Sequence, residues 1–335
     1  MLCCLVASAA TCVAAGEGDA EKSAVKLMTP AVERGIERGL KWLASRQHDD
    51  GGFGAGPYRG NAAVCALAGM AMMADGNTPG RGAYGKQVNR CVDYLLASTQ
   101  SSGFIFGGDS SHGPMYGHGF ATMFLAECYG MSPRPELREK LAKSVKIIVG
   151  SQNKDGGWRY QPVRAGADIS VTVCQVMALR AARNAGLFVP NETIDRAIGY
   201  VKKSQNADGG FMYMIQGGES EFPRSAAGVA ALYSAGVYSG PEIAKGLDYL
   251  AAFQPGGAAA QHDGYYFYGH CYAMQAMWQA GGERWRRWYA AVRDELIFRQ
   301  RDDGSWQDSV SAECATAMGC IILAIPNNYL PIFQR

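Results

Sequence analysis

One short pattern recurs along the chain at nearly constant intervals. Gln47-His-Asp-Asp50-Gly51-Gly52-Phe53 returns as Gln152-Asn-Lys-Asp155-Gly156-Gly157-Trp158 and as Gln205-Asn-Ala-Asp208-Gly209-Gly210-Phe211. It returns once more as Gln300-Arg-Asp-Asp303-Gly304-Ser305-Trp306. Degenerate copies fill the gaps at Gln100-Ser-Ser-Gly103-Phe104 and Gln254-Pro-Gly-Gly257. The glutamines at 47, 100, 152, 205, 254 and 300 stand 53, 52, 53, 49 and 46 residues apart. A repeat of this length is one supersecondary unit that cannot bury its apolar face alone, so its copies must stack. Asp-Gly-Gly permits backbone with φ > 0, which places the pattern in a turn. We expect its Gln and Asp side chains to tie the turn to neighbouring backbone while the aromatic residue packs on the next unit. These aspartates are scaffold rather than catalytic acids.

Each unit reads as two helices joined by that turn. Before the first turn, Val32, Ile36, Leu40 and Leu43 share one face, with Glu33, Arg34, Glu37 and Lys41 on the others;. After each turn the character changes. AAVCALAGMAMM, ATMFLAECYG, VTVCQVMALRAA, AAGVAALYSAG, CYAMQAMWQAGG and AECATAMGCIIL are apolar on nearly every side. A helix of that kind is buried all round. The pattern therefore predicts an all-α fold, an α6/α6 toroid with an amphipathic outer ring and an apolar inner ring. An open solenoid would need polar capping repeats, and neither end offers one.

The toroid is expected over residues 30–335, after a signal peptide at 1–15 and a linker at 16–29. Leu2 to Ala15 is apolar and rich in small residues, and Val13-Ala14-Ala15 fits a cleavage site, which points to an exported protein;. The run is too short to span a bilayer, and no other stretch predicts a transmembrane anchor. Lys+Arg 32 against Asp+Glu 30 gives a net charge of +2, which provides no field for nucleic acid;. Glycine is abundant, 43 of 335 residues, nearly twice the usual ~7%, and the turns absorb much of that surplus. Seven cysteines follow the leader with no CxxC pair among them, and they read as small buried hydrophobes;.

The Gln-x-x-Asp-Gly-Gly-Trp turns, preceded by stretches such as GLKWLASRQ and GLDYLAAFQ, resemble the repeats of squalene-hopene and other terpene cyclases and of protein prenyltransferase β subunits. The resemblance covers about residues 30–326 and implies one toroid with an apolar central cavity. The cyclases carry Asp-x-Asp-Asp at the start of an inner helix, and its middle aspartate donates the initiating proton. Asp168-Ile169-Ser170-Val171 falls on that motif, with Ser170 in the donor's place. A serine cannot protonate an alkene. Prenyltransferases hold zinc with Asp-x-Cys and a His. Here Tyr268-Gly269-His270-Cys271-Tyr272 is similar to the His element, but Phe222-Pro223-Arg224-Ser225-Ala226 has no Asp-x-Cys. No metal and no cofactor is expected.

Residues that open the inner helices should gather at one end of the ring. They are Tyr58 and Arg59, Tyr116 and His118, Asp168 and Ser170, Phe222 and Arg224, Tyr268 and His270, with Glu313 one turn in. His118, Asp168 and His270 are the candidate catalytic residues, with Asp168 placed to orient His118 as a base. Tyr58, Arg59, Tyr116, Ser170, Arg224, Tyr268 and Glu313 are the candidate binding residues. The expected partner is an isoprenoid or another hydrophobic small molecule, bound without cyclase-type catalysis. Two alternatives stand beside this. One is an active cyclase- or transferase-like enzyme using the mouth His and Asp. The other is a glycan-processing toroid, which needs paired carboxylates and has Asp168 and Glu313 as candidates.

Overall fold

A computed structural model describes residues 24–108, 113–132, 134–256 and 265–334. The expected leader, most of the linker, His112, and Gly257 and His262 of the fifth turn region lie outside the described residues. Those residues hold twelve α-helices and no β-strand. In chain order they are α1 (Pro30–Arg46), α2 (Ala62–Ala74), α3 (Gly85–Ala97), α4 (Pro114–Met131), α5 (Pro135–Ser151) and α6 (Ile169–Asn184). There follow α7 (Asn191–Lys203), α8 (Phe222–Ser234), α9 (Pro241–Ala251), α10 (Tyr266–Ala280), α11 (Gly282–Arg299) and α12 (Ala312–Ala324). None is long and apolar enough to cross a membrane.

The odd-numbered helices form the outer ring. α1 starts where Thr29 accepts the Val32 N–H and Pro30 occupies the first helical position;. It buries Val32, Ile36, Leu40 and Leu43 and leaves Glu33, Arg34, Glu37 and Lys41 exposed. The even-numbered helices form the inner ring, and α2 is buried at every position except Ala63. Small residues let these helices approach closely: a Cβ on Gly69 would lie 2.5 Å from the Phe124 ring of α4. Each inner helix packs on the next, and α12 packs on α2, so the ring is closed.

The turns make that closure chemically explicit. Gln152 Nε2 donates to its own turn at Gly156 O (2.9 Å) and to the next outer helix at Thr193 O (2.8 Å). Gln47 bonds Gly51 and Gln87 in the same way, and Gln205 bonds Gly209 and Glu242. Gln300 donates to Gly304 O at 2.9 Å and to Gly35 O of α1 at 2.8 Å, so the last turn treats the first outer helix as its successor. The Asp side chains close the turn itself, as Asp50 Oδ1 accepts Gly52 N–H at 2.8 Å. In the third copy Asn153 takes over this role, accepting from Asp155 and Gly157 at 3.0 Å each. Gly156 has φ +97°, and a Cβ there would collide with the Arg196 carbonyl;.

The second turn departs from the sequence reading by one residue. Thr99 pairs with Ile105 as Gln205 pairs with Phe211, so Thr99 and not Gln100 holds the glutamine position. Threonine is too short to reach the next helix. Ser144 of α5 supplies the bridge instead, its Oγ lying 2.7 Å from Gly103 O and 3.0 Å from Lys140 O. At the opposite end of the ring the C-terminal segment crosses the inner helices. Ile332 N–H donates to Glu127 Oε2 at 3.3 Å, and Leu330, Ile332 and Phe333 are buried.

Candidate functional site

The inner helices are parallel, so their N-termini collect at the end where the turns lie. Asp168 caps α6: its Oδ1 accepts Val171 N–H at 2.8 Å, and its own N–H donates to Trp158 O at 3.0 Å. Its Oδ2 is buried and without a partner among the described residues. Burial raises the carboxyl to about 6, against the opposing pull of the Val171 N–H, of Arg159 and of the nearby Tyr213 hydroxyl;. The acid is thus poised to hold a proton or to accept a hydrogen bond.

Tyrosines surround it. Tyr268 makes an edge contact with Tyr272, ring centres 4.8 Å apart, and Cys174 Sγ lies 3.7 Å from the Tyr272 hydroxyl across the ring. The Tyr268 hydroxyl is buried beside Ser170 and has no hydrogen-bond partner among the described residues. Burial drives its pKa well up, with Cys174 and Asp168 adding to the effect. Tyr116 is raised by burial in the same surroundings, with the neighbouring Tyr268 and Asp168 adding to the effect. Tyr160 lies tilted against Tyr116, ring centres 6.2 Å apart, and its hydroxyl bonds that of Tyr213. Arg159 covers both rings, 5.0 Å and 5.9 Å from their centres.

The structure therefore brings Tyr116, Asp168, Ser170 and Tyr268 together. Tyr160, Tyr213, Tyr272 and Cys174 belong to the same cluster and were not among the candidates. A signal for them exists. Tyr160 and Tyr213 each stand two residues after the aromatic of their turn, Trp158 and Phe211. Tyr272 and Cys174 stand one helical turn after Tyr268 and Ser170, hence on the same faces;.

The histidines face elsewhere. Backbone N–H groups of the turn aromatics reach an inner-helix hydroxyl in three copies: Trp158 to Thr172 (3.0 Å), Phe211 to Ser225 (2.8 Å) and Trp306 to Thr316 (3.0 Å). In the second copy Ile105 N–H goes to His118 Nδ1 at 3.1 Å, so His118 fills the hydroxyl's position. Its Nε2 then bears the proton and donates to Ser144 O at 3.1 Å;. Both nitrogens are committed to backbone, and burial lowers the pKa to about 4. Orientation of His118 by Asp168 is not what the structure offers, because the ring points to outer helix α5. His270 sits at the matching position of α10 among Tyr266, Phe222 and Trp288, with ring centres 4.3, 4.9 and 5.7 Å away. Burial, then Arg299, lowers it to about 3. The two histidines do not confront one another across the ring.

The remaining candidates are dispersed. Arg224 is spent on Phe211 O (3.0 Å), Glu219 O (2.6 Å) and Glu221 (2.8 Å), a local cap rather than an anion receptor. Phe222 packs on His270, as above. Tyr58 is half-buried near Cys314, Tyr265 and Asp308, and burial raises its hydroxyl. Arg59 is exposed, and Glu313 is buried in the first turn of α12. α6 and α12 are opposite members of the ring, so Asp168 and Glu313 begin helices three places apart. No group of three or more His, Cys, Asp or Glu side chains among the described residues has a metal-binding arrangement.

Comparisons with known proteins agree with this architecture. No curated protein matches the sequence. Solved structures do match in fold. The type II terpene cyclase MstE from Scytonema aligns with a TM-score of 0.63 at 15% identity, over 90% of this chain and 100% of its own. Cellobiose 2-epimerase from Bacillus thermoamylovorans B4167 gives 0.63 at 13% identity, over 88% and 98%. An inactive variant of the alpha-1,6-mannanase GH76A of Salegentibacter sp. HEL1_6 gives 0.65 at 7% identity, over 88% and 99%. These identities establish a shared fold. The sequence profile of the prenyltransferase alpha-alpha toroid domain matches residues 2–110 and 106–260, and the chain belongs to that family.

Proposed function

We propose that this toroid, residues 30–335 of an exported chain, binds an isoprenoid or a related apolar small molecule bearing a hydroxyl or carbonyl group, and does not perform proton-initiated cyclisation. The observation that supports this most directly is the pair of unpartnered buried polar atoms, Asp168 Oδ2 and the Tyr268 hydroxyl, within a cluster of tyrosines at the mouth of an apolar ring. Buried polar groups are ordinarily hydrogen-bonded, so two bare ones in one cluster mark a place for a ligand group. Aromatic walls with few polar anchors are the usual composition of small-molecule sites. MstE is known in complex with geranylgeranyl dihydroxybenzoate, an isoprenoid joined to a polar head.

Cyclisation is set aside on residue chemistry. The position that resembles the proton donor is Ser170, and Asp168 is committed through Oδ1 to capping α6. The experiment is a titration of the chain with geranylgeraniol, followed by intrinsic fluorescence, beside an incubation with squalene and with geranylgeranyl diphosphate read by mass spectrometry. Saturable binding that weakens several-fold in Tyr268→Phe, with no new product, is expected. A cyclised product would overturn the non-catalytic reading, and absent or Tyr268-independent binding would overturn the site.

A further inference from the structure

The polar anchors of the mouth are shut off from water in this conformation. Asp168 is 0% exposed, and Cys174, on the Ser170 face of α6, is 3% exposed. Tyr160 and Tyr213 lie over them, each half-buried, with one side in water and the other against the cluster. The Tyr213 hydroxyl faces Asp168, and the Tyr160 ring leans on Tyr116. A ligand that enters from this end has to displace these two side chains.

Their backbones are fixed and their side chains are not. Tyr160 O accepts Met115 N–H at 3.1 Å and Tyr213 O accepts Ile169 N–H at 2.9 Å, which ties both residues to the starts of α4 and α6. The loops that follow are pinned at their far ends as well, by Asn153 Nδ2 on Gly166 O (2.9 Å) and Asn206 Nδ2 on Gly218 O (3.1 Å). Movement without loss of these bonds is therefore confined to rotation of the phenols about their side-chain torsions. Two contacts hold the phenols in place. Their hydroxyls bond each other, and the Arg159 guanidinium lies over both rings while its Nη1 reaches Met214 Sδ at 3.1 Å.

The repeat shows that the scaffold does not require tyrosine here. Tyr160 and Tyr213 stand two residues after Trp158 and Phe211, and the same place holds Ala55 in the first copy and Asp308 in the sixth. In the second copy, with Ile105 in the register of Phe211, it holds Gly107. Phenols therefore occupy the position in the third and fourth copies, the two that adjoin Asp168, and the ring is built without them elsewhere.

We infer, resting on the mouth as the binding site, that Tyr160 and Tyr213 form a gate over it, latched by their hydroxyl–hydroxyl bond, and that the apolar ligand enters when the latch parts. The test reads opening at Cys174, by modification of the full chain with methyl methanethiosulfonate and peptide mass spectrometry. Cys128 of α4, 1% exposed and with its Sγ 3.5 Å from Met73 Sδ, is the internal control for global unfolding. Tyr160→Phe keeps the ring and removes the latch. Cys174 should then react about fivefold faster with Cys128 unchanged, since at 1.4 kcal/mol per tenfold that factor is the ~1 kcal/mol of one hydrogen bond. The Tyr160→Phe/Tyr213→Phe double variant should gain no more than Tyr160→Phe, because the two hydroxyls share a single bond. Geranylgeraniol association, followed by stopped-flow fluorescence, should accelerate by the same factor. An unchanged Cys174 rate in Tyr160→Phe, a fully additive gain in the double variant, a parallel gain at Cys128, or faster labelling with unchanged geranylgeraniol association would each overturn the gate. Absence of geranylgeraniol binding with the labelling pattern intact would instead overturn the mouth as its binding site and uphold the latch.

Discussion

Gln152→Ala is the sharpest probe of what holds the ring together. The Gln152 side chain is 4% exposed and donates two hydrogen bonds from one nitrogen, to Gly156 O and Thr193 O. Removal leaves the buried Gly156 carbonyl bare, at about 1–3 kcal/mol, and deprives the Thr193 carbonyl of an additional bond worth about 1 kcal/mol. The sum is about 2–4 kcal/mol. For a domain this large, at ~2 °C per kcal/mol, the melting temperature should fall by about 4–8 °C. Gln100→Ala is the matched control: Gln100 is exposed and Thr99 has its structural place, so its melting temperature should stay within ~1 °C of wild type;. Ser144→Ala, which removes the substitute bridge of that copy, should behave like Gln152→Ala. Thermal denaturation followed by circular dichroism at the helical band reads all three. Equal losses in Gln100→Ala and Gln152→Ala would refute the one-residue shift of the second turn. No loss in Gln152→Ala would refute the bridging role altogether.

Three further outcomes follow from the buried titratable groups. His118→Ala should cost about 2–4 kcal/mol by stranding Ile105 N–H and Ser144 O, while geranylgeraniol affinity stays unchanged; weaker binding without a stability loss would return His118 to the site. Glu127 is raised to about 7 by burial, above its ordinary 4.5, so the folded state holds its proton more tightly and ionisation destabilises it. Glu127→Gln should therefore stabilise the protein at pH 8 and lose that advantage as pH falls from about 7 toward 4.5, read as the difference in melting temperature between variant and wild type. Asp168, raised to about 6, follows the same sign over about pH 6 to 3.8, and Asp168→Asn should show its largest stabilisation above pH 7. A pH-independent difference in either variant would contradict the burial of that carboxyl.

The toroid was legible because its evidence is written six times. Four well-formed turns and six apolar runs specify two rings, and the Gln300 bond to Gly35 closes the circle without any further signal. What failed was register in a degenerate copy. Gln100 attracted the alignment by identity, whereas the backbone follows Gly103, whose φ of +94° matches Gly209 at +89°. A glycine that must adopt φ > 0 fixes the turn more rigidly than the side chain beside it.

The same lesson decides the mouth. His118 and His270 invite a catalytic reading because histidine is the usual acid–base residue, yet register places His118 where Thr172, Ser225 and Thr316 receive a backbone N–H. A repeat protein assigns a position before it assigns a residue, so an unusual side chain at a structural position first has to meet that position's hydrogen-bond requirement. His118 meets it with both nitrogens. Asp168 Oδ2, the Tyr268 hydroxyl and His270 Nδ1 are the opposite case, since each is buried without a partner among the described residues. Function is therefore best sought where the scaffold leaves a buried polar atom over. The single substitution Tyr268→Phe tests the mouth on that criterion, because it removes no bond on which the ring depends.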